Sequence, residues 1–401
     1  MTVLEINQTE AASLGYRIFD ADQHYYEAED ALTRHLPDEF KRLIRWIDVG
    51  SRRTLLVNNK LLTVVPNPTY DPVGVPGSLE TYFRSENHDG IELRDMIKMH
   101  PIQPAYRYRD ARVELMDAQG VEFAWLIPSL GLGVEQMLTD DPVVLNAVFG
   151  AYNRWLDDDW GYDRDGRIQT GPLISLVDPE WAEAETRRVI ELGAKMICMR
   201  PAPVMAPGLW RSPGDPIHDG VWAQCAEAGV IVAIHAADSG YGRLLPDWGE
   251  GNGYKGMKMS NLEEVLSIHV ERPIYDMMSA MICHGVFERH PNLKVATLEL
   301  GSGWVPELVR RLKKAYGKKP QTFGSDPVEQ FHNNVWVAPF YEDEMDALQV
   351  LGTDKILLGS DYPHPEGLPT PADAARDFAP LGDEVVRMVM RDNLAKLVGK
   401  A

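Results

Sequence analysis

The sequence predicts an α/β protein built as a closed parallel (β/α)8 barrel with an inserted segment over the barrel mouth. Three observations lead there. Eight short apolar runs, at 17–21, 123–128, 168–177, 195–199, 230–234, 294–298, 335–339 and 355–358, end in polar residues or glycine. Segments of helical periodicity alternate with them, among them 108–119, 179–192, 218–228, 304–316 and 342–351. The turn after the first run lacks the glycine-rich phosphate loop of an open doubly wound sheet and reads Asp20-Ala21-Asp22-Gln23-His24 instead.

Taken in order, the elements are unevenly spaced. Between the first and second runs, residues 31–106 are too long for a plain loop. They hold a predicted β-hairpin, 53–57 and 60–65 around Asn58-Asn59, followed by a Pro- and Gly-rich stretch over 66–77. The expected organisation is therefore an N-terminal segment with the first strand (1–30), an insertion (31–106) and the remainder of the barrel (107–401). A second excursion, 238–275, carries Gly240, Gly242, Gly249, Gly251, Gly253 and Gly256 ahead of a helix with Met277, Met278 and Met281. It reads either as a mobile lid or as an ordered dimer contact, and a homodimer is expected.

Composition narrows the function classes. The 401 residues are 44% hydrophobic and 25% charged, enough apolar content for a large core. Forty Lys and Arg against sixty Asp and Glu give a net charge of −20, which argues against nucleic acid and anionic membrane surfaces as partners. Cys198, Cys225 and Cys283 lie far apart and are expected to be buried thiols in a reducing compartment. The first thirty residues, with Glu5, Glu10 and Asp20, lack the basic start and apolar run of a signal peptide. No stretch approaches the roughly 18 apolar residues of a membrane helix. The expected location is cytoplasmic.

Barrel enzymes carry their chemistry at the carboxyl ends of the strands. Just past the apolar runs stand Asp22 and His24, Arg200, His235, Glu299, and Asp361 followed by His364. Asp22 and His24 are two apart, so an extended segment turns both to one side. With His235 and Asp361 they offer two nitrogens and two oxygens, a set that suits one divalent ion: zinc first, with manganese or iron(II) also open. The competing reading makes the carboxylates helix caps and the histidines core residues, but four such groups at strand ends weigh against it.

The stretches Asp20-Ala21-Asp22-Gln23-His24, Ile234-His235, residues 285–294 and Gly359-Ser360-Asp361-Tyr362-Pro363-His364-Pro365-Glu366-Gly367 resemble the amidohydrolase-related family, which includes aminocarboxymuconate semialdehyde decarboxylase and its relatives. The resemblance runs from about residue 16 to residue 399 and covers the insertion poorly. It implies a (β/α)8 barrel with a divalent metal at its mouth, held by Asp22, His24, His235 and Asp361. Many relatives begin the first-strand motif with His, whereas this chain has Asp22, as acidic-ligand relatives do, which makes the site harder. The decarboxylases carry a histidine at the sixth strand end, where this chain has Glu299. That carboxylate could act as general base, ligate the metal or a second ion, or orient another ligand.

These residues put a metal-dependent hydrolase first, using activated water on a carbonyl-containing small molecule (amide, ester, thioester or carbon–carbon bond). Asp361 would then relay the proton. The alternative is a nonoxidative decarboxylase with the same metal centre, and a third reading is a non-catalytic binding barrel, which has no need of four convergent ligands. Arg200 reads as a fork for a substrate carboxylate or as the partner of an acidic rim residue. His364 is expected to face the pocket, and Tyr25, Tyr26 and Trp304 to form an aromatic wall. His284 reads as a core or interface histidine. His269, His290 and His332 carry no functional signal, and the basic run 310–314 reads as a solvated helix face.

Overall fold

The computed structural model describes residues 14–50, 52–251 and 259–401. Seven of the apolar runs form strands: β1 (Ile18–Tyr25), β2 (Val121–Pro128), β3 (Ile168–Thr170), β4 (Met196–Met199), β5 (Ile231–His235), β6 (Lys294–Leu298) and β7 (Val335–Val337). All pairings among them are parallel, in the runs β1–β2–β3 and β4–β5–β6–β7. The gap between β3 and β4 is bridged by Leu173 beside Cys198, with the Cys198 amide donating to the Pro172 carbonyl at 2.8 Å. The eighth run forms no strand, but Ile356 bridges to Val337, and the Leu357 amide donates to the Val337 carbonyl at 2.9 Å. On its other side Leu358 accepts from the Ala21 amide at 2.8 Å and Tyr362 bridges to Gln23, so the ring closes on β1.

Several boundaries differ from the sequence expectation. β1 runs on to Tyr25, because Asp22 and His24 are buried in the strand rather than exposed beyond it. A register shift between Asp20 and Gln23 places one extra residue in β1 opposite β2, a bulge over Ala21 and Asp22. Only Ile168–Thr170 of the expected run 168–177 is strand, since Pro172 interrupts it. The predicted helix over 342–351 is a shorter 3-10 segment, Met345–Val350. An 18-residue helix, Pro142–Asp159, is capped by the Asp141 carboxylate on the Val144 amide, with Pro142 in the first turn.

The expected hairpin forms. Arg52–Val57 pairs antiparallel with Lys60–Leu61, and Asn58 and Asn59 take φ of 47° and 63°, the double left-handed turn that asparagine tolerates. Ile44–Val49 adds a third strand that the sequence did not signal. Further along, Val73–Gly74 pairs with Met99–His100. Gly74 lies against Pro365, and a Cβ there would stand 2.9 Å from the proline ring.

Cys198 and Cys225 are buried as expected, but Cys283 is exposed at the last turn of the helix Glu271–Cys283. His284 is likewise exposed rather than in the core, its Nδ1 2.7 Å from Ser212 Oγ. Gly253 and Gly256 of the second excursion, and Glu5 and Glu10, lie outside the described residues. Among the described residues no helix is long and apolar enough to cross a membrane.

Candidate metal centre

The strand ends bring Asp22, His24, His235 and Glu299 together, with one donor atom from each lying within 4.8 Å of the others. His24 Nε2 is 3.4 Å from Asp22 Oδ1 and 3.6 Å from Glu299 Oε2. His235 Nε2 is 3.5 Å from Asp22 Oδ1 and 3.0 Å from Glu299 Oε2. A second quartet, His24, Glu299, Asp361 and His364, shares two members with the first. There Asp361 Oδ1 lies 3.2 Å from His24 Nε2 and 2.7 Å from His364 Nδ1. The fourth expected ligand, Asp361, thus faces His24 and His364, and Glu299 completes the set around Asp22, His24 and His235.

The donors fit a cation. Asp22 Oδ1, His24 Nε2 and His235 Nε2 are buried without an aligned hydrogen bond, as are Asp361 Oδ1 and His364 Nδ1. Buried polar atoms left so are costly unless something else satisfies them. His235 Nδ1 lies 2.9 Å from the Ala236 carbonyl, which fixes that nitrogen as donor and leaves Nε2 for the centre. Burial pushes the Asp22 and Glu299 carboxyls up, but the facing His235 and His24 imidazoles outweigh it and hold both below the usual carboxylate range. Conversely burial lowers His235, and Glu299 and Asp22 outweigh it, raising the imidazole to about 9. His24 is likewise raised by Asp22, Asp361 and Glu299 against its burial. The centre of the cluster therefore favours positive charge.

Backbone strain marks the same place. Glu299 and Asp361 take φ of 51° and 54°, a left-handed conformation that costs a non-glycine residue on the order of 1–3 kcal/mol and gathers at functional sites. Asp20, by contrast, is saturated: its carboxylate accepts from Ser360 Oγ at 2.6 Å, Gln23 Nε2 at 2.9 Å and the Ser360 amide at 3.1 Å. It fastens β1 to the loop that carries Asp361. Burial raises it to about 6.

Two supporting residues were not singled out in the sequence. Glu27 is buried, and its Oε1 accepts from the Ser129, Leu130 and Gly131 amides and the Tyr152 hydroxyl at 2.8–3.1 Å. It thereby anchors Ser129, whose Oγ is 3.1 Å from His364 Nε2 and 3.5 Å from His24 Nδ1. Arg112, fully buried, donates to the His24 carbonyl at 2.6 Å. A glutamate just beyond a strand end was a findable signal; an arginine on the outer helix was not.

Three expected substrate-binding residues stand elsewhere. Tyr25 is turned into the core, its hydroxyl 2.8 Å from that of Tyr152 and its ring stacked on Trp160. Trp304 is buried against Phe331 and donates to the Gly301 carbonyl at 3.0 Å. Arg200 pairs with Glu135 at 3.1 Å and donates to the Asp238 carbonyl at 2.6 Å, the rim pairing that stood as its alternative. His364 and Tyr26 do line the cavity above the donors, which has a volume of about 370 Å³.

Residues 97–400 match the family model described as Amidohydrolase. A solved amidohydrolase from Mycobacterium avium subsp. paratuberculosis K-10 is 44% identical over 96% of this chain and 99% of that one, with a TM-score of 0.90. A dihydroxybenzoic acid decarboxylase from Polaromonas sp. JS666, solved with bound manganese and the inhibitor 2-nitroresorcinol, superposes with a TM-score of 0.56 at 17% identity, covering 80% and 92% of the two chains. That likeness is one of fold. Over 127 residues the chain is 28% identical to 2-amino-3-carboxymuconate-6-semialdehyde decarboxylase of Dictyostelium discoideum. The match takes in 30% of this chain and 35% of the relative, so the chain spans about a third of the length of the curated relative it matches.

Proposed function

From the premise that the chain belongs to the amidohydrolase family, we propose that it is a metal-dependent nonoxidative decarboxylase of a small carboxylic acid. The observation that carries this reading is the convergence of buried, unaligned donor atoms from Asp22, His24 and His235 with Glu299 at the floor of one cavity. The Polaromonas and Dictyostelium relatives are decarboxylases, which favours decarboxylation over the hydrolysis that the sequence put first. Manganese is preferred to zinc, because two carboxylates among four donors make a hard set and the Polaromonas relative holds manganese.

Asp22, His24, His235 and Glu299 would hold the cation. Bound there, it would supply Lewis acidity, drawing off negative charge as the bond to the departing carboxylate breaks. Asp361 Oδ1 and His364 Nδ1 stand 2.7 Å apart beside the cavity, and in this reading the pair delivers a proton. In this reading the electron pair of the broken bond stays on the substrate carbon, that carbon takes the proton, carbon dioxide leaves, and solvent reprotonates the pair. Ser129 orients the His364 ring from its Nε2 side. Residues 31–106 belong to this reading as an insertion that roofs the mouth, since Val64, Tyr70 and Val73 line the cavity. A cytoplasmic homodimer completes it.

Hydrolysis is the second reading, favoured by Glu299 where the decarboxylases have imidazole. The manganese-loaded protein should release carbon dioxide from an ortho-hydroxylated aromatic acid in deuterium oxide and place one deuteron on the vacated carbon. Label from oxygen-18 water in a product acid, with no carbon dioxide, would replace decarboxylation by hydrolysis.

A further inference from the structure

We infer that the site selects a carboxylic acid with one charged end and an apolar body of about two fused rings, and rejects diacids. This rests on the decarboxylase reading and gives it a substrate class.

Size comes first. An apolar cavity of about 150 Å³ accommodates benzene, whereas this one has about 370 Å³. A single ring with its carboxylate would leave much of it unfilled, and unfilled apolar volume forfeits contact energy. Much of the lining beyond the donors is apolar, with Val64, Val65, Val73, Ile97 and Leu132 and the ring of Tyr70, while Asn67 adds an amide. Val64 is held against the barrel loop at Gly133, where a Cβ would lie 2.8 Å from its Cγ1. The apolar wall is thus seated on the barrel.

Charge comes second. Among the described residues lining the cavity there is no lysine or arginine, while Asp238, Glu299 and Glu366 are all present. The imidazoles there already face carboxylates: His24 and His235 as described, His364 on Asp361 at 2.7 Å, and His269 on Glu263 at 3.4 Å. The nearby guanidinium of Arg200 is taken by Glu135, and that of Arg112 by the His24 carbonyl. A carboxylate at the cation is matched. A second one, carried on the far side of the substrate, would be desolvated against largely apolar walls and acidic neighbours, with no cationic partner among the described lining residues. Selection against diacids therefore comes from the lining itself.

The test uses the full chain loaded with manganese and three matched probes: benzoate, 2-naphthoate and naphthalene-2,6-dicarboxylate, titrated calorimetrically. The second ring should tighten binding about tenfold over benzoate, and the second carboxylate should weaken it about tenfold or more relative to 2-naphthoate. Met99 stands at the cavity rim, 52% exposed, so Met99→Lys adds a cation at little packing cost. It should narrow the gap between diacid and monoacid about tenfold. Benzoate binding as tightly as 2-naphthoate, a diacid binding as well as the monoacid, or no binding of any probe would overturn the inference. Binding in the expected order, with no carbon dioxide released from hydroxynaphthoates, would remove the decarboxylase reading and leave the cavity's selectivity standing.

Discussion

Glu27 is the clearest case of a single side chain on which the site's geometry depends. Three loop amides and a tyrosine hydroxyl end on one carboxylate oxygen, and the loop carries the serine between His24 and His364. Glu27→Ala would strand those donors in the interior, so it should lower unfolding stability by about 3 kcal/mol or more, read by denaturant unfolding. Glu342, outside the two donor quartets, gives a pH signature of its own. Burial, reinforced by Asp343, raises its carboxyl to about 8. The folded protein therefore holds a proton there that the unfolded chain releases near its ordinary value of about 4.5. The stability this contributes is complete below that value and is lost as pH rises through about 8. Glu342→Gln should remove the fall, giving a higher melting temperature than the parent at pH 9; equal melting temperatures there would contradict it. Legibility at this scale followed residue type. Asp22, His24 and His235 could be read because ionisable types at strand ends are rare without a task. The inward turn of Tyr25 and Trp304 could not, because nothing local distinguishes an aromatic that walls a pocket from one that fills a core. Glu299 joins Asp22, His24 and His235 in one quartet while Asp361 meets His24 and Glu299 in a second, and the left-handed turn at each of the two carboxylates is not written in the residue type.

Elements were legible where their pattern is local. Seven apolar runs became strands, and Asn58-Asn59 fixed its hairpin by turn chemistry alone. The eighth run failed as a strand because its partners, Val337 and Ala21, reach it by isolated bonds rather than a ladder. Ile44–Val49 went unseen because its strand character depends on the neighbour it pairs with. How the segment 64–74 meets the barrel is also a tertiary fact. It does so through glycine: at Gly74 the backbone approaches the Pro365 ring so closely that a methyl group has no room. Gly74→Ala should destabilise the protein by about 1–3 kcal/mol and loosen this wall, seen as faster amide exchange over 64–74 and 97–100. Unchanged exchange would mean the wall is held by other contacts.

At the scale of the molecule, the ring of strands gathers residues from positions 22 to 361 of the chain into one cluster whose central atoms face one another without satisfying one another. The closure was legible as an alternation of runs; the shape of the cavity was not, because its far wall comes from the least patterned stretch of the sequence. The most direct test is elemental analysis of the protein purified without added chelator, beside Asp22→Asn and His235→Ala. About one equivalent of a divalent metal in the parent and a loss of tenfold or more in each variant is the expected result. Metal content unchanged in both variants, with all three proteins folded, would mean that these donors do not grip a cation.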